Sequence, residues 1–257
     1  KMLSQKELKE FLEAKSHQFN HPDFIADDPI QVPHSFTKKE DIEICAFLTA
    51  TIAWGQRKTI IKNANNMMDI MGFEPHQFVI GATKKELDSL SEFKHRTFNG
   101  IDLKFFVLSL RNIFRDGDEH ISGFEKAFSG CDTAFESINK FRAVMLETKH
   151  DQRSEKHISS PLKGSAAKRI NMFLRWMNRK DSNGVDFGIW NALPASQLMV
   201  PLDVHTGNMA RKLGLIKRKQ NDWKALEEMM TILRKLDPED PSKYDFALFG
   251  LGVNEEF

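Results

Sequence analysis

Apolar residues recur along this chain at intervals of three and four, the spacing of one helix face, and nowhere in a sustained alternation. Ile101 to Arg115 is the clearest case: Leu103, Phe106, Leu110 and Ile113 fall on one stripe, and Ser109, Arg111, Asn112 and Arg115 lie mostly off it. Asn221 to Lys235 repeats the pattern with Trp223, Leu226, Met230 and Leu233, after Asn221 or Asp222 as N-cap. The same reading predicts helices over 6–18, 39–54, 57–71, 119–128, 133–147, 165–179, 204–213 and 242–251. No pair of strands joined by a hairpin turn is predicted, so the fold class is all-α. Three stretches read as loops: 21–36 with its three prolines, 148–160 with its charges and serines, and 183–194. The second is basic enough to be partly disordered without a ligand.

Composition narrows this picture. The 257 residues suffice for one large or two small domains, and 40% hydrophobic content supplies a core. The 21 Phe at helical spacing read as core rather than as platforms for stacking bases. Cys45 and Cys131 are far apart and outside any CxxC spacing, so neither a disulfide framework nor a thiolate metal site is expected. With no apolar run near the roughly 18 residues of a membrane span, the expectation is a soluble, cytoplasmic protein with no membrane partner.

The net charge of +1 conceals an asymmetry. Residues 149–180 hold nine Lys/Arg against two acids, and residues 201–220 hold five against one. These 52 positions therefore carry +11, and the other 205 sum to −10. Such clusters suit an anionic polymer.

Each cluster contains a segment with candidate chemistry. In Ser160-Pro161-Leu162-Lys163-Gly164-Ser165-Ala166-Ala167-Lys168-Arg169, a Pro and a Gly three residues later shape a turn whose backbone N–H groups can face outward ahead of a helix. That arrangement binds phosphate oxygens, and Lys163, Ser165, Lys168 and Arg169 add side-chain donors around Gly164. The following helix anchors the turn through Ile170, Phe173, Leu174 and Met177. In Pro201-Leu202-Asp203-Val204-His205-Thr206, Asp203 opens a helix that ends before Gly214. Two readings stand for Asp203: an N-cap accepting from the N–H of Thr206 or Asn208, or an ionised carboxylate that steadies a developing sugar cation or orients a water.

Taken together, Pro161, Gly164, Ser165 and Ala167, then Leu202-Asp203-Val204-His205-Thr206 and Ala210-Arg211-Lys212-Leu213-Gly214-Leu215, resemble the signature of the helix-hairpin-helix DNA glycosylase superfamily. Leu48 to Arg57 resembles its helix ending in a Gln-containing turn near DNA. A closer resemblance, spanning most of the chain, is to an uncharacterised bacterial branch called domain of unknown function 2400, at Trp54-Gly55-Gln56-Arg57-Lys58, Lys163-Gly164-Ser165-Ala166 and Lys243-Tyr244-Asp245-Phe246-Ala247-Leu248-Phe249-Gly250.

The superfamily resemblance implies two helical lobes with a helix-hairpin-helix element and a cleft between them, one lobe from 1–45 plus 186–257 and the other from 46–185. It implies Asp203 as the catalytic carboxylate, a hairpin around Gly164, and Gln56 or Arg57 as the wedge that replaces an extruded base in duplex DNA, lesion-bearing or intact. Where bifunctional members carry a lysine nucleophile this chain has Ala166, and Lys168 falls two residues later, about 200° around a helix, so lyase activity is not expected. Leu162 replaces the first Gly of the family turn. The four-cysteine cluster of some members is absent, so no iron–sulfur cluster, metal or other cofactor is expected. The expectation is a monofunctional DNA glycosylase, with two alternatives: a non-catalytic nucleic-acid-binding protein, and a helical enzyme for a small phosphorylated metabolite.

Overall fold

A computed structural model describes residues 3–118 and 121–254, and these are mostly helical. In chain order the helices and strands are α1 Gln5–Phe19, α2 Lys39–Thr51, α3 Arg57–Ile70, α4 Pro75–Gly81, α5 Lys84–Ser89, β1 Lys94–His95, β2 Phe98–Asn99, α6 Gly100–Phe114, α7 Gly123–Phe128 and α8 Ala134–Leu146. The chain continues with α9 Lys168–Asn178, α10 Val204–Lys212, α11 Trp223–Leu236 and α12 Tyr244–Asn254. The expected helix over 119–128 begins at Glu119 and His120, which lie outside the described residues. The contacts divide the chain into two compact units. A terminal unit comprises Lys1–Phe24, Asp132–Phe135 and Ser160–Phe257, and a central unit comprises Ile25–Cys131 and Glu136–Ser159. The turn around Gly164, expected in the 46–185 lobe, thus groups with the chain termini.

The central unit is built on phenylalanine. Ten of the thirteen residues of α2 are buried, as befits a helix with almost no polar face. Phe47 meets Phe106, Phe124 and Phe141 at ring separations of 5.2–5.6 Å, and Phe128 stacks on Phe141 at 4.1 Å. Asn99 and Asp102 form a capping box at the start of α6. Asp102, fully buried, also accepts from Arg153 at 2.8 Å and Ser154 at 2.6 Å and lies 3.4 Å from His157. Burial pushes its carboxyl up, but the Ser154, Asn99 and Arg153 hydrogen bonds outweigh that and hold it below the ordinary Asp value. One acid therefore gathers residues 152–157 into a 3-10 turn, in the stretch expected to be partly disordered.

Three further expectations are corrected. The loop over 21–36 contains three 3-10 segments, each opening on a proline, because the fixed φ of Pro suits the first position of a helical turn. Helices α4 and α5 went unread because seven and six residues are too few to complete an apolar stripe. A two-residue antiparallel hairpin, β1 with β2, also exists; Arg96 supplies its left-handed turn residue at φ 52°.

In the terminal unit α12 packs against α1 and α10. A Cβ at Gly250 would lie 2.1 Å from the Phe19 ring, so glycine permits the close approach of α1 and α12. Helix α9 carries a buried ion ladder. Arg175 bonds Asp186 at 3.1 Å and also pairs with Asp245; one turn on, Arg179 bonds Asp181, Asp186 and Asp240 at 2.6–3.1 Å.

Candidate nucleic-acid interface

The turn in the terminal unit is one 3-10 turn, Pro161–Lys163, closed by Gly164 at φ 87°. A Cβ there would meet nothing within 4 Å, so glycine is needed for its backbone angle and not for space. The amides of Lys163 and Ser165 donate to the Ser160 carbonyl at 3.1 and 3.2 Å, and that of Gly164 to Pro161 at 2.8 Å. The Ala167 amide donates to Ser165 Oγ at 3.1 Å. These four backbone amides are thus engaged within the turn rather than facing outward. Lys163 is exposed beside Leu162, which is 74% exposed at the tip.

Helix α9 begins at Lys168, three residues later than its periodicity suggests, because Ala167 is left-handed at φ 48°. This overturns the argument that set Lys168 aside. Counting 100° per residue from Ala166 holds only within a helix, and the helix has not yet begun there. Lys168 Nζ instead lies 3.3 Å from Asp203 Oδ2. Arg169 follows half-buried, and burial pulls its guanidinium down to about 10.

Asp203 is the N-cap of α10: its Oδ1 accepts from the Thr206 amide at 2.9 Å. Its side chain is 26% exposed. Burial pushes the carboxyl up, yet Lys168 and the Thr206 amide prevail and keep it below its usual range, an anion at neutral pH. His205 and the next-door Val204 are exposed.

The segment Asn221–Trp223 joins the turn to the acid. Trp223 donates to the Gly164 carbonyl at 2.9 Å, Asp222 pairs with Ser165 as an isolated β-bridge, and Asn221 Nδ2 donates to the Asp203 carbonyl at 3.2 Å. Asp222 is also the cap of α11 and the partner of Arg218. Of the expected residues, Lys163, Gly164, Ser165, Lys168, Arg169 and Asp203 all fall in the terminal unit, and Lys168 and Asp203 are in direct contact. Sequence reasoning missed Asn221 as a strut, and Asp245. Burial raises the Asp245 carboxyl to about 6 even though Arg175 opposes it. No spacing rule marks a buried acid, although Asp245 sits inside the segment Lys243 to Gly250 already singled out.

Gln56 and Arg57 belong to the central unit. Gln56 is exposed at the N-cap of α3 and makes no side-chain cap bond; Arg57 is the first residue of α3 and half-buried. Trp54 ahead of them packs edge-on against His95, whose Nε2 bonds the Trp54 carbonyl at 3.0 Å while Nδ1 meets Asn63 at 2.8 Å.

Among the described residues no group of three or more His, Cys, Asp or Glu could hold a metal ion, and no helix is long and apolar enough to cross a membrane. No curated protein and no solved structure matches the chain. A family model described as a protein of unknown function, DUF2400, matches residues 28–254, nearly the whole length, and the chain belongs to that family.

Proposed function

We propose that this protein is a helix-hairpin-helix-like, monofunctional DNA glycosylase that binds duplex DNA beside the Gly164 turn and cleaves the N-glycosidic bond of a damaged or mispaired base. The observation that carries the reading is the Lys168–Asp203 contact, which sets a half-buried anion beside the cationic start of α9. Loss of a base builds positive charge on the sugar, and an anion that is already fixed lowers that barrier without reorganising. The C1′–N bond breaks with its electron pair leaving on the base, water adds to C1′, and its proton is released. Asp203 supports the sugar cation or orients that water. The reading is monofunctional because Ala166, and not a lysine, stands at the position that the resemblance gives to the nucleophile.

Both Asp203 oxygens already have partners, an arrangement that also suits a purely structural cap, and this favours one second reading: a non-catalytic nucleic-acid-binding protein. A panel of lesion-bearing duplexes separates the two. Release of free base by the wild type, lost at least about 100-fold in Asp203→Asn with affinity retained, supports the enzyme. Binding that weakens in Lys163→Glu, with no base released from any duplex, sinks the catalytic reading and supports the second.

A further inference from the structure

The turn Trp54–Gly55 in the central unit holds a glycine for two reasons. Its φ of 98° lies in the left-handed region, and a Cβ would fall 2.8 Å from Arg96 Nη1 and 3.4 Å from Arg96 Cδ. The absent side chain is the seat of an arginine from the β1–β2 hairpin tip. His95, the residue before it, fixes the hairpin to the same turn through the Trp54 carbonyl and Asn63. Arg96 is exposed and makes no ion pair or side-chain hydrogen bond among the described residues, a guanidinium placed by packing.

Helix α3, which starts from this turn, carries its charge in an unusual order. Arg57, Lys58 and Lys62 occupy its first half and its one acid, Asp69, its last turn. A helix dipole favours the reverse, acids first and cations last. Lys58 and Lys62, one turn apart, are both exposed without an ion-pair partner among the described residues. Such a gathering of like charge costs stability in the free protein, and a polyanion lying across it would remove the cost. Glu92, also exposed, is the nearest acid in sequence to the hairpin.

We infer that Arg96, Lys58 and Lys62, with Arg57, form a second surface that binds the phosphate backbone of nucleic acid, independent of the Gly164 turn. The partner class rests on the proposed function, but the surface does not depend on catalysis by Asp203. Arg96 supplies a fork that grips two phosphate oxygens, and the lysines one turn apart follow the backbone.

The test uses the full chain and a fluorescent 20-base-pair duplex, with a single strand of the same sequence in a parallel arm, across a series of salt concentrations. Removing Arg96, Lys58 and Lys62 singly to Ala lowers the log–log salt slope by about 0.9 per cation on duplex and about 0.7 on single strand. The triple variant sums these losses. Lys58→Glu provides the second readout: a carboxylate near the start of α3 raises Tm by about 1–2 °C while weakening binding, so stability and affinity move in opposite directions. An unchanged slope in a folded triple variant overturns the inference and leaves the Gly164 turn as the binding site, as does a wild type that binds neither probe at low salt. Failure of the catalytic reading registers elsewhere, as absence of base release with these slopes intact.

Discussion

Two helices of this protein begin alike and end up in opposite electrostatic surroundings. α9 starts Ala167-Lys168-Arg169 and α3 starts Gln56-Arg57-Lys58, each after a glycine in the left-handed region and each without a side-chain cap. Around α9 Lys168 is answered by Asp203, and further along Arg175 and Arg179 by four more aspartates. In α3 no acid follows until the last turn, and Arg96 adds another cation at the start. The linear excess around α9 is +7 over residues 149–180, much of it cancelled by aspartates beyond that window, whereas α3 lies in the part of the chain that sums to −10. Net charge over a window of sequence describes a surface only when the residues that neutralise it lie in the same window.

The strongest way to break this comparison is to remove a cation from each region. Arg179→Ala removes a buried guanidinium that bonds Asp181, Asp186 and the half-buried Asp240, leaves Asp186 to Arg175 alone, and is expected to destabilise by about 3 kcal/mol in denaturant unfolding. Arg96→Ala removes an exposed group and is expected to change stability by no more than about 0.5 kcal/mol. Equal losses would mean that Arg96 is as structural as Arg179.

A smaller effect comes from pH. The folded carboxyl of Asp245 is raised to about 6, so between about pH 4 and about pH 6 the folded state holds a proton that the unfolded chain releases. Stability from this group therefore falls as pH rises through that window. Asp203 and Asp102 have lowered folded values, and their contribution is lost as pH falls below the ordinary carboxylate range. Arg175, Asp186, Asp203 and Lys168 all act on Asp245. Asp245→Asn cannot titrate, so its unfolding free energy relative to wild type should climb from pH 4 to pH 6 and then level off. A flat difference would show that Asp245 ionises normally and that the ladder of α9 is fully balanced.

Helices were legible because their apolar stripes are long: Leu103, Phe106, Leu110 and Ile113 are all buried, as are Trp223, Leu226, Met230 and Leu233. Asp222 and Asp203 were legible as caps for the same local reason. The start of α9 was not, since the stripe of Ile170, Phe173 and Leu174 cannot reveal that Ala167 is left-handed, and the bond that Ser165 Oγ accepts from the Ala167 amide has no periodic signature. The order of residues 152–157 was hidden because its organiser, Asp102, lies about fifty residues away in sequence. Arg96 was missed for a related reason: the glycine that receives it was visible in the motif Trp54-Gly55-Gln56-Arg57, but nothing local says which side chain fills the space a glycine leaves.

The finest test of the comparison therefore substitutes the two glycines. Both Gly164→Ala and Gly55→Ala place a Cβ on a left-handed residue, and each should cost about 1–2 kcal/mol for that reason alone. They differ in what the methyl meets, since it enters open space at Gly164 and the Arg96 guanidinium at Gly55. At Gly55 the guanidinium must move, because the nearest contact of 2.8 Å is shorter than a methyl tolerates, and only the exposed end of a flexible side chain has to yield. Equal stability losses are therefore expected, but only Gly55→Ala should change how nucleic-acid binding depends on salt, by less than the full loss of one cation. If Gly164→Ala changes the slope and Gly55→Ala does not, the Arg96 surface takes no part in binding and the Gly164 turn alone faces the ligand.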